Sequence, residues 1–152
     1  MLSSSLEKYL TCIYKMLEDD VEPTASDLSK KMNQPLQKTI QSLQRMHYQK
    51  QIVYSSFEPL KITETGKQMA RYIIARDELI EEFLKLLHIE ENLDSEKESM
   101  AQYLSTDSLE KIEKFVMFSR KYPEISKRFD LLLQIEPDTR DRILPPLPKM
   151  NR

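Results

Sequence analysis

Residues 24–46 read TASDLSKKMNQPLQKTIQSLQRM, and this stretch decides the fold. Thr24 and Asp27 have the spacing of a helix start, because a hydroxyl and a carboxylate so placed satisfy the first free amides reciprocally. Leu28 and Met32 then recur four residues apart, on one face of a short helix. Asn33-Gln34-Pro35 is a turn, and Pro35 suits the first turn of a second helix, where an N–H would lack a partner anyway. That helix aligns Leu36, Ile40, Leu43 and Met46 on one side and leaves Gln37, Lys38, Gln41, Gln44 and Arg45 away from it. Helix, short turn and helix with a polar outer face is the helix-turn-helix plan.

Upstream, Leu6, Tyr9, Leu10, Ile13, Tyr14 and Leu17 recur at spacings of three and four, which predicts a helix. Ser4 and Glu7 have capping-box spacing at its start, and the acidic run Glu18-Asp19-Asp20 predicts fraying at its negative end. Downstream, Ile52-Val53-Tyr54 and Leu60-Lys61-Ile62-Thr63 lean to strand, and Ser55 to Pro59 joins them as a hairpin. Thr63 then caps a long helix with Met69, Ile73, Ile80, Phe83, Leu84 and Leu87 on its stripe. These elements make a winged helix whose last helix runs well beyond the small domain.

Further helices are expected at about residues 95–104, 108–121 and 124–134. The second of these carries Leu109, Ile112, Phe115 and Val116, with Asp107 and Glu110 at capping-box spacing. The third carries Ile125, Phe129, Leu132 and Leu133 just past Pro123. These stripes are too few to enclose a core alone, so pairing with a second copy is the economical way to bury them. The expected fold class is mainly α: an N-terminal winged helix-turn-helix with a small β-hairpin wing, then an all-helical dimerisation domain. Residues 1–70 form the first domain and 71–135 the second, with a Pro-rich extended tail at 136–152.

Composition narrows function by exclusion. One cysteine, Cys12, rules out an internal disulfide, and two histidines rule out a multi-histidine metal site. Gly66 is the only glycine, so no phosphate-cradling glycine loop exists. No nucleophile, base and orienting acid stand at recognisable spacing, and no enzyme or small-molecule substrate is expected. Apolar runs fall far short of the ~20 residues of a membrane span, and the start MLSSSLEKYL lacks a signal-peptide layout. A cytoplasmic protein without a membrane partner is expected. The net charge of −2 is unlike a simple nucleic-acid binder. Between residues 22 and 50, however, Lys30, Lys31, Lys38, Arg45 and Lys50 outnumber Glu22 and Asp27, and a local basic face is what phosphate contact requires.

The segments LEKYLTCIYKML, TASDLSKKM and ITETGKQMA, then RDELIEEFL and a helix ending in YLS some twenty residues later, resemble the diphtheria-toxin-repressor family. The shorter manganese-regulator branch is the most similar, and the resemblance runs from about Leu6 to Val116. It implies a helical dimerisation domain and metal-dependent operator binding. It also implies a metal site drawn from both domains, which in this chain is degenerate. The two ligand positions of the first helix hold Lys8 and Thr11, and the histidine of the long helix is Asp77. The E-x-x-E-H triplet appears as Glu98, Ala101 and Gln102. Glu81 lies one turn from Asp77, so Asp77, Glu81 and Glu98 are the carboxylates left to hold a Mn or Fe ion. Such a set suits a hard cation weakly and lacks the imidazole that selects these metals. No cofactor is expected unless this reduced site still works. Lys8, an ammonium at a ligand position, either pairs with Asp77 or Glu98 and so replaces the ion, or points into water beside a decayed site.

The expected partner is double-stranded DNA, bound by a homodimer. Gln37, Lys38 and Gln41 face outward early on the second helix, where glutamine can read adenine and lysine guanine. Thr39, Ser42, Lys30, Lys31, Arg45, Lys50 and Lys61 are the expected phosphate contacts. At the wing tip Glu58 is repelled by phosphate, so the wing is expected to stay clear of DNA. The function expected is a transcriptional regulator, by family a repressor, with lost or altered metal dependence. The alternatives are a metal-responsive repressor using the reduced carboxylate site, and an interaction module that does not bind DNA. Cys12, between the two degenerate positions, is either a redox switch or an inert packed thiol.

Overall fold

The computed structural model describes residues 2–150; Met1 and the last two residues of the expected tail, Asn151 and Arg152, lie outside the described residues. The first compact unit extends through Glu113, and a second comprises the residues from Lys114 on. Helices α1 (Ser4–Glu18), α2 (Ala25–Lys31) and α3 (Leu36–Tyr48) come first, followed by β1 (Ile52–Val53) and β2 (Lys61–Ile62). Then come α4 (Glu64–Leu86), α5 (Leu93–Tyr103), α6 (Thr106–Lys121) and α7 (Pro123–Leu133). The architecture is mainly helical with one two-stranded antiparallel sheet, in which Ile52 faces Ile62 and Val53 faces Lys61. Among the described residues no helix is long and apolar enough to cross a membrane.

The caps explain the helix boundaries. Thr24 and Asp27 form the full reciprocal box: the Asp27 amide donates to Thr24 Oγ1 at 3.2 Å and the Thr24 amide to Asp27 Oδ2 at 3.0 Å. Thr63 accepts from the Gly66 amide at 3.0 Å at the start of α4. Two expected caps shift by a residue or two. Ser3 rather than Ser4 caps α1, accepting from the Leu6 amide, and Ser105 rather than Asp107 receives an amide, that of Ser108, at the start of α6. With one glycine in the chain, the left-handed residues that close helices are Asp20, Asn33, Lys50 and His88. Asn33 sits in the helix-turn-helix turn, where Gln34 N donates to Ser29 O at 3.0 Å.

Gly66 answers a different need. A Cβ at Gly66 would run into the carbonyl oxygen of Gln51, so α4 approaches the end of α3 only because that atom is missing. The Thr63 hydroxyl lies 2.8 Å from Lys50 O and 2.9 Å from Gln51 O, which fixes the same junction.

One apolar cluster joins Leu6, Tyr9, Leu10 and Ile13 of α1 to Leu28, Leu43, Met46, Ile52, Leu60 and Ile73. A smaller cluster joins Ile80 and Leu84 of α4 to Leu109. The expected stripe of α3 turns by part of a residue step: Thr39, Leu43 and Met46 are buried, whereas Leu36 is exposed. The Tyr9 hydroxyl accounts for this, because it meets Thr39 Oγ1 at 3.1 Å and satisfies a hydroxyl inside the core. The strands are shorter than expected, two residues each, and the wing is held by Leu60 N donating to Pro23 O at 2.8 Å. On α6 and α7, Phe115, Leu132 and Leu133, stripe residues for which a second copy was the expected cover, are exposed. The residues from Glu136 to Met150 form no α-helix or strand, and a 3-10 turn lies at Thr139–Asp141.

Candidate metal centre and nucleic-acid face

Helices α1, α4 and α5 enclose a cleft of about 620 Å³, and six of the seven expected metal-site residues line it: Lys8, Thr11, Asp77, Glu98, Ala101 and Gln102. Glu81 is not among the lining residues. The family-type positions therefore converge in space, but what they hold is cations of the chain itself. Lys8 Nζ lies 3.3 Å from Glu98 Oε1 and 3.4 Å from Oε2, and the Ser4 hydroxyl donates to Glu98 Oε1 at 3.1 Å. The Ser4 hydroxyl and then Lys8 hold the Glu98 carboxyl below its usual range. Of the two expected partners of Lys8 the structure selects Glu98.

Asp77 is engaged by Arg76, a residue absent from the sequence-based site. Arg76 reaches Glu7 of α1 through two parallel bonds, Nη1 to Oε1 at 3.1 Å and Nη2 to Oε2 at 2.8 Å. It also donates to Asp77 Oδ1 from Nε at 3.1 Å and from Nη2 at 2.9 Å. The Glu7 bonds, opposed by burial and assisted by Asp77, raise the guanidinium further above its ordinary pKa. Glu81 takes Lys97 at 2.9 Å and Lys85 at 3.0 Å, and these two, Lys97 first, hold its carboxyl low. Thr11 turns its hydroxyl back to Glu7 O at 3.0 Å, away from ligand duty. Among the described residues no three His, Cys, Asp or Glu side chains are placed together to hold a metal ion. The donor set does not fit a divalent cation: Ala101 has no donor atom, Lys8 repels the ion, and the carboxylates already face ammonium or guanidinium groups.

Ser4, Glu7, Arg76 and Lys97 are site residues that sequence reasoning missed. The one available signal was position, since Arg76 opens the RDELIEEFL motif and directly precedes Asp77. Cys12 is half-buried against the main cluster, and that burial pushes its thiol up, away from the reactive thiolate.

On α3 the side chains of Gln37, Lys38, Gln41 and Arg45 are exposed, as are Lys30, Lys31, Lys50 and Lys61 on neighbouring segments. Lys38 Nζ donates to Gln34 Oε1 at 3.1 Å, and the Ser42 hydroxyl to Lys38 O at 3.1 Å. Thr39 corrects one expectation: it is fully buried and its hydroxyl is used by Tyr9, so it cannot reach phosphate. At the wing tip Phe57 is fully exposed with a positive φ, and Glu58 accepts from the Ser55 hydroxyl at 3.2 Å. His47 Nδ1 accepts from the Tyr54 amide at 3.1 Å, a structural bond between α3 and the wing.

Residues 63–130 match the family described as iron dependent repressor, metal binding and dimerisation domain. Over that stretch the chain is similar to the metal-binding and dimerisation domain of iron-dependent repressors. The chain is 26% identical over 137 residues to the HTH-type transcriptional regulator MntR of Geobacillus thermodenitrificans, covering 90% of this chain and 95% of that one. The MntR of Listeria innocua is 23% identical over 142 residues, with 93% and 100% covered. The fold is shared with the manganese regulator SloR at a TM-score of 0.67 and 20% identity, covering 77% of this chain and 55% of that one, so the chain spans about half of SloR. The metal-dependent transcriptional regulator MtsR gives 0.67 at 23% identity, with 74% and 54% covered. The two curated relatives are named HTH-type transcriptional regulators.

Proposed function

We propose that this chain is a DNA-binding transcriptional regulator, a repressor, that acts as a homodimer and does not depend on Mn or Fe. The observation that carries the metal independence is the Lys8–Glu98 and Arg76–Asp77 pairing at the family's ligand positions. DNA binding is supported by the relatives, which are named HTH-type regulators, and by the outward glutamines and lysine of α3. Residues 1–70 serve as the DNA-binding domain and 71–135 as the dimerisation domain. Gln37, Lys38 and Gln41 contact base edges, and Lys30, Lys31, Ser42, Arg45, Lys50 and Lys61 contact phosphate. Phe118, Tyr122, Leu131, Leu132 and Leu133 supply apolar area for the second copy. No cofactor is required and the protein works in the cytoplasm.

The test is a titration of the full chain against promoter fragments of its source genome, in EDTA and with added Mn²⁺. Equal affinity in both conditions supports the reading. Binding only with Mn²⁺ means that Asp77, Glu81 and Glu98 form a working site and the reading fails. A second reading, an interaction module that does not bind DNA, is favoured by the exposed Phe57 and Glu58 at the wing tip. It predicts no DNA affinity in either condition.

A further inference from the structure

We infer that Arg76, rather than Lys8, is the built-in replacement for the metal ion, a guanidinium clamp that permanently ties α1 to α4. The inference rests on the metal-independent reading and names the group responsible for it. Two pairs compete for the role, and their surroundings separate them. The Arg76 side chain is 9% exposed and that of Glu7 19%, against 58% and 50% for Lys8 and Glu98. A pair open to water is screened by salt and held loosely, while a shielded one is not.

Geometry favours the same residue. A guanidinium presents five N–H donors in a fixed plane, and Arg76 directs donors at two carboxylates on different helices: both oxygens of Glu7 on α1 and Oδ1 of Asp77 on α4. A divalent ion at a junction does the same work, since it draws carboxylates from separate elements to one centre. Lysine cannot reproduce it, because an ammonium lacks the planar fork. Glu7 stands one helical turn from Thr11 and beside Lys8, so the clamp grips the part of α1 where the family-type ligands would stand. Removal of the guanidinium leaves Glu7 and Asp77 without their direct partner, a weak cation site on which the ammonium groups of Lys8 and Lys97 in the same cleft set a limit.

The experiment follows thermal unfolding of the full chain in EDTA and with about 1 mM Mn²⁺, for wild type, R76A, R76K and K8A, together with deuterium exchange of the α1 amides. Wild type is expected to melt at the same temperature in both conditions. R76A is expected to melt roughly 5–10 °C lower in EDTA, to exchange faster in α1, and to recover in part with Mn²⁺. R76K is expected to fall between the two, and K8A to stay near wild type. The clamp is overturned, with the metal-independent reading intact, if wild type ignores Mn²⁺ and R76A or R76K melts and exchanges like wild type. A K8A loss larger than that of R76A also overturns it. If wild type itself rises several degrees with Mn²⁺, the metal-independent reading fails and the clamp fails with it. Should R76A not fold, R76K decides, because a role for the aliphatic stem alone predicts no change on keeping length and charge.

Discussion

Leu10, Ile13, Leu28, Leu43 and Met46 of the first compact unit are 0% exposed, whereas Leu131, Leu132, Leu133 and Ile135 of the second keep 61%, 63%, 49% and 64%. Both regions are helical and both carry amphipathic stripes, yet only the first closes its apolar surface within itself. The difference lies in what each stripe meets. In the first unit α1, α2, α3 and the wing converge from several directions, and their leucines and isoleucines share one cluster. In the second, α7 and the end of α6 offer apolar faces and little else. A face left open on this scale suits a partner chain.

The comparison can be broken most severely at Gly66. Gly66→Ala drives a Cβ into the Gln51 carbonyl, and because backbone cannot yield as a side chain does, a loss of about 3 kcal/mol or more is expected in denaturant unfolding. Next in size is a change in association without a change in fold. Replacing Leu132 and Leu133 by glutamate leaves unfolding within about 0.5 kcal/mol but is expected to shift sedimentation from dimer to monomer. A loss of folded protein instead would show that the open face is core.

Thr39→Val sharpens the account of the first unit. The isosteric valine removes the hydrogen bond to Tyr9 and strands its hydroxyl, for an expected loss of about 1–2 kcal/mol in urea titration. The double change with Tyr9→Phe should cost less than the sum, since no polar group is then left unpaired. The smallest effect is that of acid. Asp27, Glu81 and Glu98 are held below the usual carboxylate range by Thr24, by Lys97 with Lys85, and by Ser4 with Lys8. A lowered native pKa stabilises above the unfolded value of about 4. That contribution fades as pH falls through the lowered native values. A melting temperature flat between about pH 5 and 7 and declining below about pH 4 is expected.

Much of this was legible in the chain. Thr24 with Asp27, and Thr63, mark true helix starts because capping is local chemistry, settled within a few residues. Periodicity located α1, α3, α4, α6 and α7, yet it placed Leu36 inside and Thr39 outside. A helical wheel carries no record that a tyrosine hydroxyl 30 residues away waits in the core. Ser3 and Ser105 were passed over for neighbours whose spacing looked better, and the choice between adjacent caps depends on backbone angles. At the cleft, Lys8 was legible because it stands where a ligand should. Arg76 was not, since its partner Glu7 is 69 residues away and nothing in a linear pattern joins them.

Helix α1 has two occupations on opposite sides. Glu7, Lys8 and Thr11 line the cleft, while Tyr9, Leu10 and Ile13 are locked in the core and Tyr9 touches α3. For a lineage under selection this is a division of property along one rod. Residues on the cleft side can be exchanged, ligand for ammonium, without disturbing the packed side that seats α3. A sensor built this way can lose its stimulus in a few substitutions and keep its reading head, so descendants that answer to no ion are within easy mutational reach.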